Sequence, residues 1–317
     1  MKRRYLFILL AVLSWLSLVI GVSDLPMLQV HTWDESQWKV FWVSRFPRLV
    51  SILIAGMSMA IGGLIMQQLS RNKFVSPTTA GTIDSARLGI VVALLLFSSA
   101  SPLIQTLIAF LFALAGTMLF MKILDGIKLK DAILIPLVGI MLGNVIGSIT
   151  TFFAYQYDLI QSIGSWLQGD FSMILKGDYE LLYLSIPLVI LAYLFAHRFT
   201  IAGMGEDFSK NLGMNHKQVV YIGLFIVALM TSVVVLTVGS IPFLGLIVPN
   251  IVSIYRGDHL KNSISHTALL GALFVLVCDI IGRIIIYPYE IPIGVTVGVI
   301  GSGLFLYLLF RRKAYAA

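Results

Sequence analysis

Apolar runs of about twenty residues follow one another along this chain, separated mostly by short polar turns. At 1.5 Å per residue, such a run matches the roughly 30 Å hydrocarbon layer of a bilayer. Lipid offers no partner to a backbone amide, so only helices or a closed barrel can cross it. The runs are continuous and not ten-residue alternations, which selects helices. Ten are predicted, over residues 5–21, 49–69, 78–97, 102–124, 133–155, 181–196, 219–238, 243–255, 265–287 and 292–310. Only 12% of the 317 residues are charged, about half the share in a soluble domain. The expected fold is an all-α integral membrane protein with a single polytopic domain over residues 1–317.

The charged residues alternate in sign from loop to loop. Lys2, Arg3, Arg4, Arg71, Lys73, Lys122, Lys128, Lys130, Arg198, Lys210, Lys217, Arg256, Lys261, Arg311, Arg312 and Lys313 supply 16 of the 22 basic residues and fall in one set of loops. Asp24, Asp34, Glu35, Asp158, Asp170, Asp178, Glu180 and Glu290 fall in the other. Because basic loops stay inside, both termini are expected in the cytoplasm, and the net charge of +7 reflects membrane topology and not nucleic-acid binding. The basic start and first apolar run are expected to remain as an uncleaved helix. The run exceeds a signal-peptide core, and Ser23-Asp24-Leu25-Pro26 is a poor cleavage site. A lone Cys278 excludes an internal disulfide and is expected as a buried small hydrophobe.

Two features depart from plain spans. Residues 203–217 (GMGEDFSKNLGMNHK) form a long polar connection with paired acids and paired glycines, where two to eight residues suffice to join bundle helices. It is built to be gripped by another protein. The eighth apolar segment, residues 243–255, has room for only about 20 Å of helix. The Gly239-Ser240-Ile241-Pro242 break must complete it, with a short broken helix at the outer side. Gly139, Gly143 and Gly147, and Gly294 and Gly298, recur every four residues, the spacing at which helix backbones approach closely.

Charges inside a membrane helix cost about 2.5 to 3.5 kcal/mol each at its centre. Asp279 and Arg283, four apart, share a helix face and can neutralise each other. Asp84 and Arg87 stand three apart near the start of the third helix. Self-compensated pairs that pin helices are favoured over a proton relay, which needs a carboxylate free to titrate. Catalytic signatures are absent: there is no G-x-x-x-x-G-K-[ST] phosphate loop, no H-E-x-x-H and no G-x-S-x-G. His31, His197, His216, His259 and His266 are scattered, without the grouped partners of a metal site. No catalytic residue, metal ligand or cofactor is expected here, and any ATP is hydrolysed by another chain.

These pieces resemble the permease family of iron-siderophore, haem and vitamin B12 ABC importers (FecCD-type), from about Arg45 to the C-terminus. The resemblance rests most on Gly239-Ser240-Ile241-Pro242-Phe243-Leu244-Gly245-Leu246-Ile247-Val248-Pro249, on Leu269-Leu270-Gly271-Ala272, on Asp279 and Arg283, and on Glu290-Ile291-Pro292-Ile293-Gly294. Arg45-Phe46-Pro47-Arg48, the turn at Asn72, and Gly205-Glu206 with Leu212-Gly213 add to it. It implies a ten-helix subunit that pairs with a second, identical or paralogous permease. Two cytoplasmic ABC ATPases, which bind ATP and Mg, and an external siderophore-binding protein complete the assembly. It also implies that Arg45 and Arg48 dock the binding protein and that Asn72 and Phe74 form the cytoplasmic gate. Residues 203–217, with Gly205, Glu206, Asp207, Leu212 and Gly213, would form paired short helices that contact the ATPase.

Two positions depart from the family pattern. Pro249-Asn250 stands where Pro-His is common, and Gly301-Ser302-Gly303-Leu304 where Gly-Ala-Pro-Phe is common. The combination is most similar to permeases for catecholate-type siderophores. The expected protein is thus a multi-pass inner-membrane subunit that forms half of the pathway for a ferric siderophore. The alternatives are an ABC permease for haem or vitamin B12, and a proton-coupled secondary transporter using Asp84 or Asp279.

Overall fold

The computed structural model describes residues 3–21, 33–126 and 134–315, and among them thirteen α-helices form and no strand does. They are α1 (Arg3–Val19), α2 (Glu35–Val40), α3 (Phe46–Leu69), α4 (Thr82–Leu96), α5 (Pro102–Gly126), α6 (Leu134–Gln156), α7 (Ile160–Leu167), α8 (Ser185–Ala202), α9 (Glu206–Asn211), α10 (His216–Val238), α11 (Leu244–Arg256), α12 (Leu260–Ile284) and α13 (Ile293–Tyr315). Six helical stretches in the described residues are long and apolar enough to cross a membrane: Glu35–Leu69, Pro102–Leu124, Ile135–Gln156, Glu180–Ala202, His216–Val238 and Leu260–Ile284.

The second helix begins well before residue 49. Asp34 accepts the backbone N–H of Gln37 while the Gln37 side chain accepts that of Asp34, a reciprocal capping box that starts α2. A π-turn, Phe41–Arg45, joins α2 to α3 without a break. The apolar face of this early part is aromatic, with Trp33, Trp38, Phe41, Trp42 and Phe46 in edge-on and tilted contact, the residue type that settles at a membrane boundary.

Burial separates an inner from an outer layer. The most apolar windows of Glu35–Leu69, α10 and α12 are 83%, 72% and 67% buried, against 28%, 28% and 22% for α5, α6 and Glu180–Ala202. Helix α3 is therefore the axis of the bundle, packed by α8, α10, α11 and α12. Glycines permit its two closest crossings. A Cβ on Gly56 would lie 2.8 Å from the Gly271 carbonyl oxygen of α12, and a Cβ on Gly63 would overlap the Gly245 backbone of α11. On the outside, Gly89 of α4 meets Ala109 of α5, and Gly143 of α6 leaves the space that the Asp84 carboxylate enters. Cys278 is buried in the main core.

The break before α11 is covered by protein, as an irregular backbone at membrane depth requires. Ser240 N donates to Leu167 O at 3.0 Å, Asp170 N to Val238 O at 2.9 Å, and Gly294 N to Gly169 O at 3.0 Å. Gly239 takes φ 86° there, and a Cβ on it would press on the Gln168 backbone. The short helix itself corrects the expectation. Its residues Gly245 and Asn250 reach the last turn of α3 and the loop after it, so α11 lies in the half of the bundle that holds Asn72, opposite Arg45. Six residues lie between Val238 and Gly245, and the break uses them to return the chain from the far end of α10 toward Gly63.

The glycine crossings yield a stability prediction. Gly63→Ala should lower the stability of the detergent-solubilised protein by about 1–3 kcal/mol through overpacking. Gly164→Ala, whose Cβ would meet nothing within 4 Å, should leave it within about 0.5 kcal/mol. Thermal unfolding followed by fluorescence measures both.

Candidate functional site

Five charged side chains from distant parts of the chain converge at the Arg45 end of the bundle. Arg48 Nη2 donates to Asp279 Oδ1 at 2.8 Å and Nη1 to Glu290 Oε2 at 2.6 Å. Arg283 pairs with the other oxygen of Asp279 and donates to Ser17 O at 2.8 Å, Ile20 O at 3.1 Å and Ser17 Oγ at 3.0 Å. Arg45 donates to Ile20 O as well. The cluster thereby ties the end of α1 to α3, to α12 and to the segment before α13. Spacing alone finds Asp279 with Arg283, since they share a helix. It cannot find Arg48 or Glu290, which only tertiary packing brings in.

Arg45 and Arg48 are thus turned inward. Arg45 is 8% exposed and the Arg48 side chain 12%, so both guanidinium groups are largely withdrawn from the surface. For Arg48 the physical reason is the pair of carboxylates on and after α12, which accept charge-assisted hydrogen bonds where water is scarce, while Arg45 donates to the Ile20 carbonyl. Asp279, held between two guanidinium groups, is not a carboxylate left free for a proton relay.

At the opposite end, α3 runs into a tight turn over residues 70–76. Arg71 takes φ 47°, Asn72 N donates back to Gln67 O at 3.2 Å, and Asn72 Oδ1 accepts the N–H of Phe74 at 2.9 Å. Asn72 therefore shapes the turn, and its effect is to present Phe74, which is 53% exposed and stands edge-on to Phe305 of α13 at 6.1 Å. Pro249 inside α11 has no N–H for the Gly245 carbonyl four residues earlier. Gln67 Nε2 lies 3.3 Å from that oxygen and 3.1 Å from Leu246 O. The amide of α3 thus repairs the proline gap in α11.

Residues 203–217 adjoin this turn. Gly205, at φ 115°, opens α9, and Gly213, at φ 74°, follows its end. Asn215 Oδ1 then caps α10 through Gln218 N at 3.2 Å. The connection holds one short helix and the first turn of α10, where two short helices were expected. The glycine after Leu212 reverses the chain straight into the next cap. Glu206 pairs with Lys210 at 2.7 Å, one turn apart, and by hydrogen bond and charge it holds the Lys210 ammonium above its ordinary pKa. Both are exposed, so the pair adds little stability. Ser209 Oγ donates to Gly205 O at 2.7 Å and meets His216 Nδ1 at 3.2 Å, which stiffens the connection.

Two contacts join this connection to the Asn72 turn. A Cβ on Gly203 would stand 2.9 Å from Gln68 O, and one on Gly205 would stand 3.3 Å from Arg71 Nη1. Beside the acids Glu206 and Asp207, the connection also exposes Met204, Phe208 and Leu212, four residues apart and 56%, 48% and 58% accessible. This apolar row was missed among the polar residues, although its spacing was visible. Among the described residues no cluster of three or more His, Cys, Asp or Glu could hold a metal. His197 and His259 face each other at 6.4 Å between ring centroids, a pair without a third ligand.

The charge cluster makes a clear prediction. Asp279→Ala leaves Arg48 and Arg283 buried without their shared carboxylate, and breaking a buried pair in this way costs about 3–5 kcal/mol. Glu290→Ala removes a partly exposed partner and should cost less than half as much. Comparing the two variants in detergent by thermal unfolding gives the order.

Comparison with known proteins gives a consistent result. Residues 9–311 match the model of the FecCD transport family. The chain is 67% identical over 316 residues to the petrobactin import system permease YclN of Bacillus subtilis, covering 100% of both chains. It is 39% identical to the ferric-anguibactin transport system permease FatD of Vibrio anguillarum, covering 93% of this chain and 94% of that one. A solved inward-facing metal-chelate type ABC transporter superposes with a TM-score of 0.86 at 24% identity, over 98% of this chain and 100% of that one. That likeness establishes a shared fold. With its repeated apolar helices and this family match, the chain is a multi-pass membrane permease that belongs to the FecCD transport family.

Proposed function

We propose that this protein is the permease subunit of an ABC importer for a ferric siderophore of the petrobactin class. What carries the reading is end-to-end similarity to a petrobactin permease, at 67% identity with no part of either chain left over. Ten membrane crossings with both termini in the cytoplasm fit the alternation of basic and acidic loops. One domain, residues 1–317, forms half of the pathway, and a second permease, identical or paralogous, supplies the other half.

Residues 203–217 are then the ATPase contact. A partner's ATP site can shift a pore only through contacts that differ between two states, and an exposed apolar row on a polar loop suits such a partner. Gly205, Glu206, Asp207, Leu212 and Gly213 shape or line that contact, with ATP and Mg bound by two cytoplasmic ATPase subunits. Asn72 and Phe74 serve as the cytoplasmic gate. The close approach of Gly203 to Gln68 at the end of α3, and of Gly205 to the Arg71 side chain just after it, supports a direct route from ATPase to gate. The external binding protein docks at the other end. For Arg45 and Arg48 to take part, a carboxylate of that protein must replace an internal one, and Glu290, with 24% of its side chain exposed, is the one within reach. No bond is made or broken in the permease itself.

Transport assays test the assignment. Purified with a partner ABC ATPase and a siderophore-binding protein and placed in liposomes, the permease should import ferric petrobactin with ATP, and dissipating the proton gradient should leave uptake unchanged. Glu206→Lys with Asp207→Lys should insert normally yet lower uptake at least tenfold, as loss of a few charge-assisted contacts would. Wild-type uptake by that double variant would sink the coupling assignment.

A further inference from the structure

The Asn72 turn is fastened to α11 by a side chain that has no role in the function proposed above. Asn250, directly after Pro249, directs its amide nitrogen at two carbonyl oxygens: Leu246 O in its own helix at 2.7 Å and Lys73 O in the turn at 2.8 Å. An asparagine amide has two N–H donors, and this geometry uses both. Ser253, three residues on and therefore on the same face of α11, receives the Lys73 ammonium at 2.8 Å. Asp258, just beyond α11, pairs with the same ammonium and accepts the Ser253 hydroxyl. Lys73 is thus held by its backbone and by its side chain, both times to α11.

The next residue is Phe74. Its exposed ring stands on a turn that α3 delivers but α11 grips. The grip is local, because Gln67 meets the carbonyls one turn earlier, Gly245 and Leu246, and the crossing at Gly63 lies further back. Asn250 occupies a position where a histidine is common in the resembling family. A neutral imidazole carries a single N–H and could not serve two carbonyl oxygens in this way.

We propose that Asn250 is a positioning residue of the gate: it locks residues 70–76 to α11, so that Phe74 moves when α11 moves. This rests on the assignment of Phe74 to the gate, but the lock can be measured without it. In the assembled transporter carrying Cys278→Ala, a single cysteine is placed at the gate by Phe74→Cys, or at a control site by Lys261→Cys. Labelling by a membrane-impermeant maleimide is timed in inside-out vesicles. Asn250→Ala, and Asn250→Asp, which keeps the size but loses both donors, should speed labelling at 74 about fivefold, the effect of one ordinary hydrogen bond on an opening equilibrium. Labelling at 261 should not change. Unchanged labelling at 74 in both variants overturns the lock, and so does an equal rise at 261, which would mean a loosened subunit. Uptake by Phe74→Ala is read in parallel. If that variant transports normally without leak while Asn250→Ala still speeds labelling at 74, the lock stands and the gate assignment falls.

Discussion

Everything in this bundle is arranged around the backbone contacts of α3. Helices in lipid gain little from the hydrophobic effect when they associate, so close van der Waals packing must hold them. Gly56 against Gly271 and Gly63 against Gly245 bring α12 and α11 within backbone distance of one helix. The crossings lie seven residues apart, about two turns, and so on the same side of α3. They fix where α11 and α12 can lie before any polar contact is made.

The polar contacts then satisfy what those crossings leave open. Pro249 leaves the Gly245 carbonyl of α11 without its helical partner, and the crossing at Gly63 places Gln67, one turn further along α3, where it donates to that oxygen. Setting α12 against Gly56 brings Asp279 alongside Arg48, two turns back on α3. Both solutions come from α3 itself, where Ser51, Ser58 and Gln67 are buried and Arg48 nearly so. The break at Gly239 follows the same logic with backbone groups, since the segment after α7 supplies the missing partners.

Much of this was legible in the sequence, for identifiable reasons. The all-helical character and the six long apolar stretches were legible because lipid demands long uninterrupted runs. The Asp279 and Arg283 pair was found because both residues lie on one helix. The start at Glu35 was missed, although Asp34-Glu35-Ser36-Gln37 carries the capping-box pattern, because attention to hydropathy passes over an amphipathic first turn. The inward turn of Arg45 and Arg48 and the entry of Glu290 were not legible at all. They depend on which helix lies beside α3, and no local spacing encodes that. The end of the bundle at which α11 lies was misjudged for a related reason. Break and helix were assigned to one depth, whereas the glycine crossing pulls the helix away from its break.

The two ends of α3 are stabilised in different ways, and the difference bears on transport. At the Arg45 end, buried charges hold one another, and exchanging any partner leaves an expensive vacancy. Such an end changes state only when another charged group arrives to replace the first. At the Asn72 end, the contacts are neutral amides, an exposed lysine pair and glycine backbones, each worth little alone. That end can shift in small steps as α9 and α11 are pushed. On the proposed function, the two behaviours match a charged end that opens when a protein partner binds and an inner turn that yields to displacement. The sequence of α3 follows that division, with Arg48 in its first turn and Gly62, Gly63, Gln67 and Gln68 toward its end.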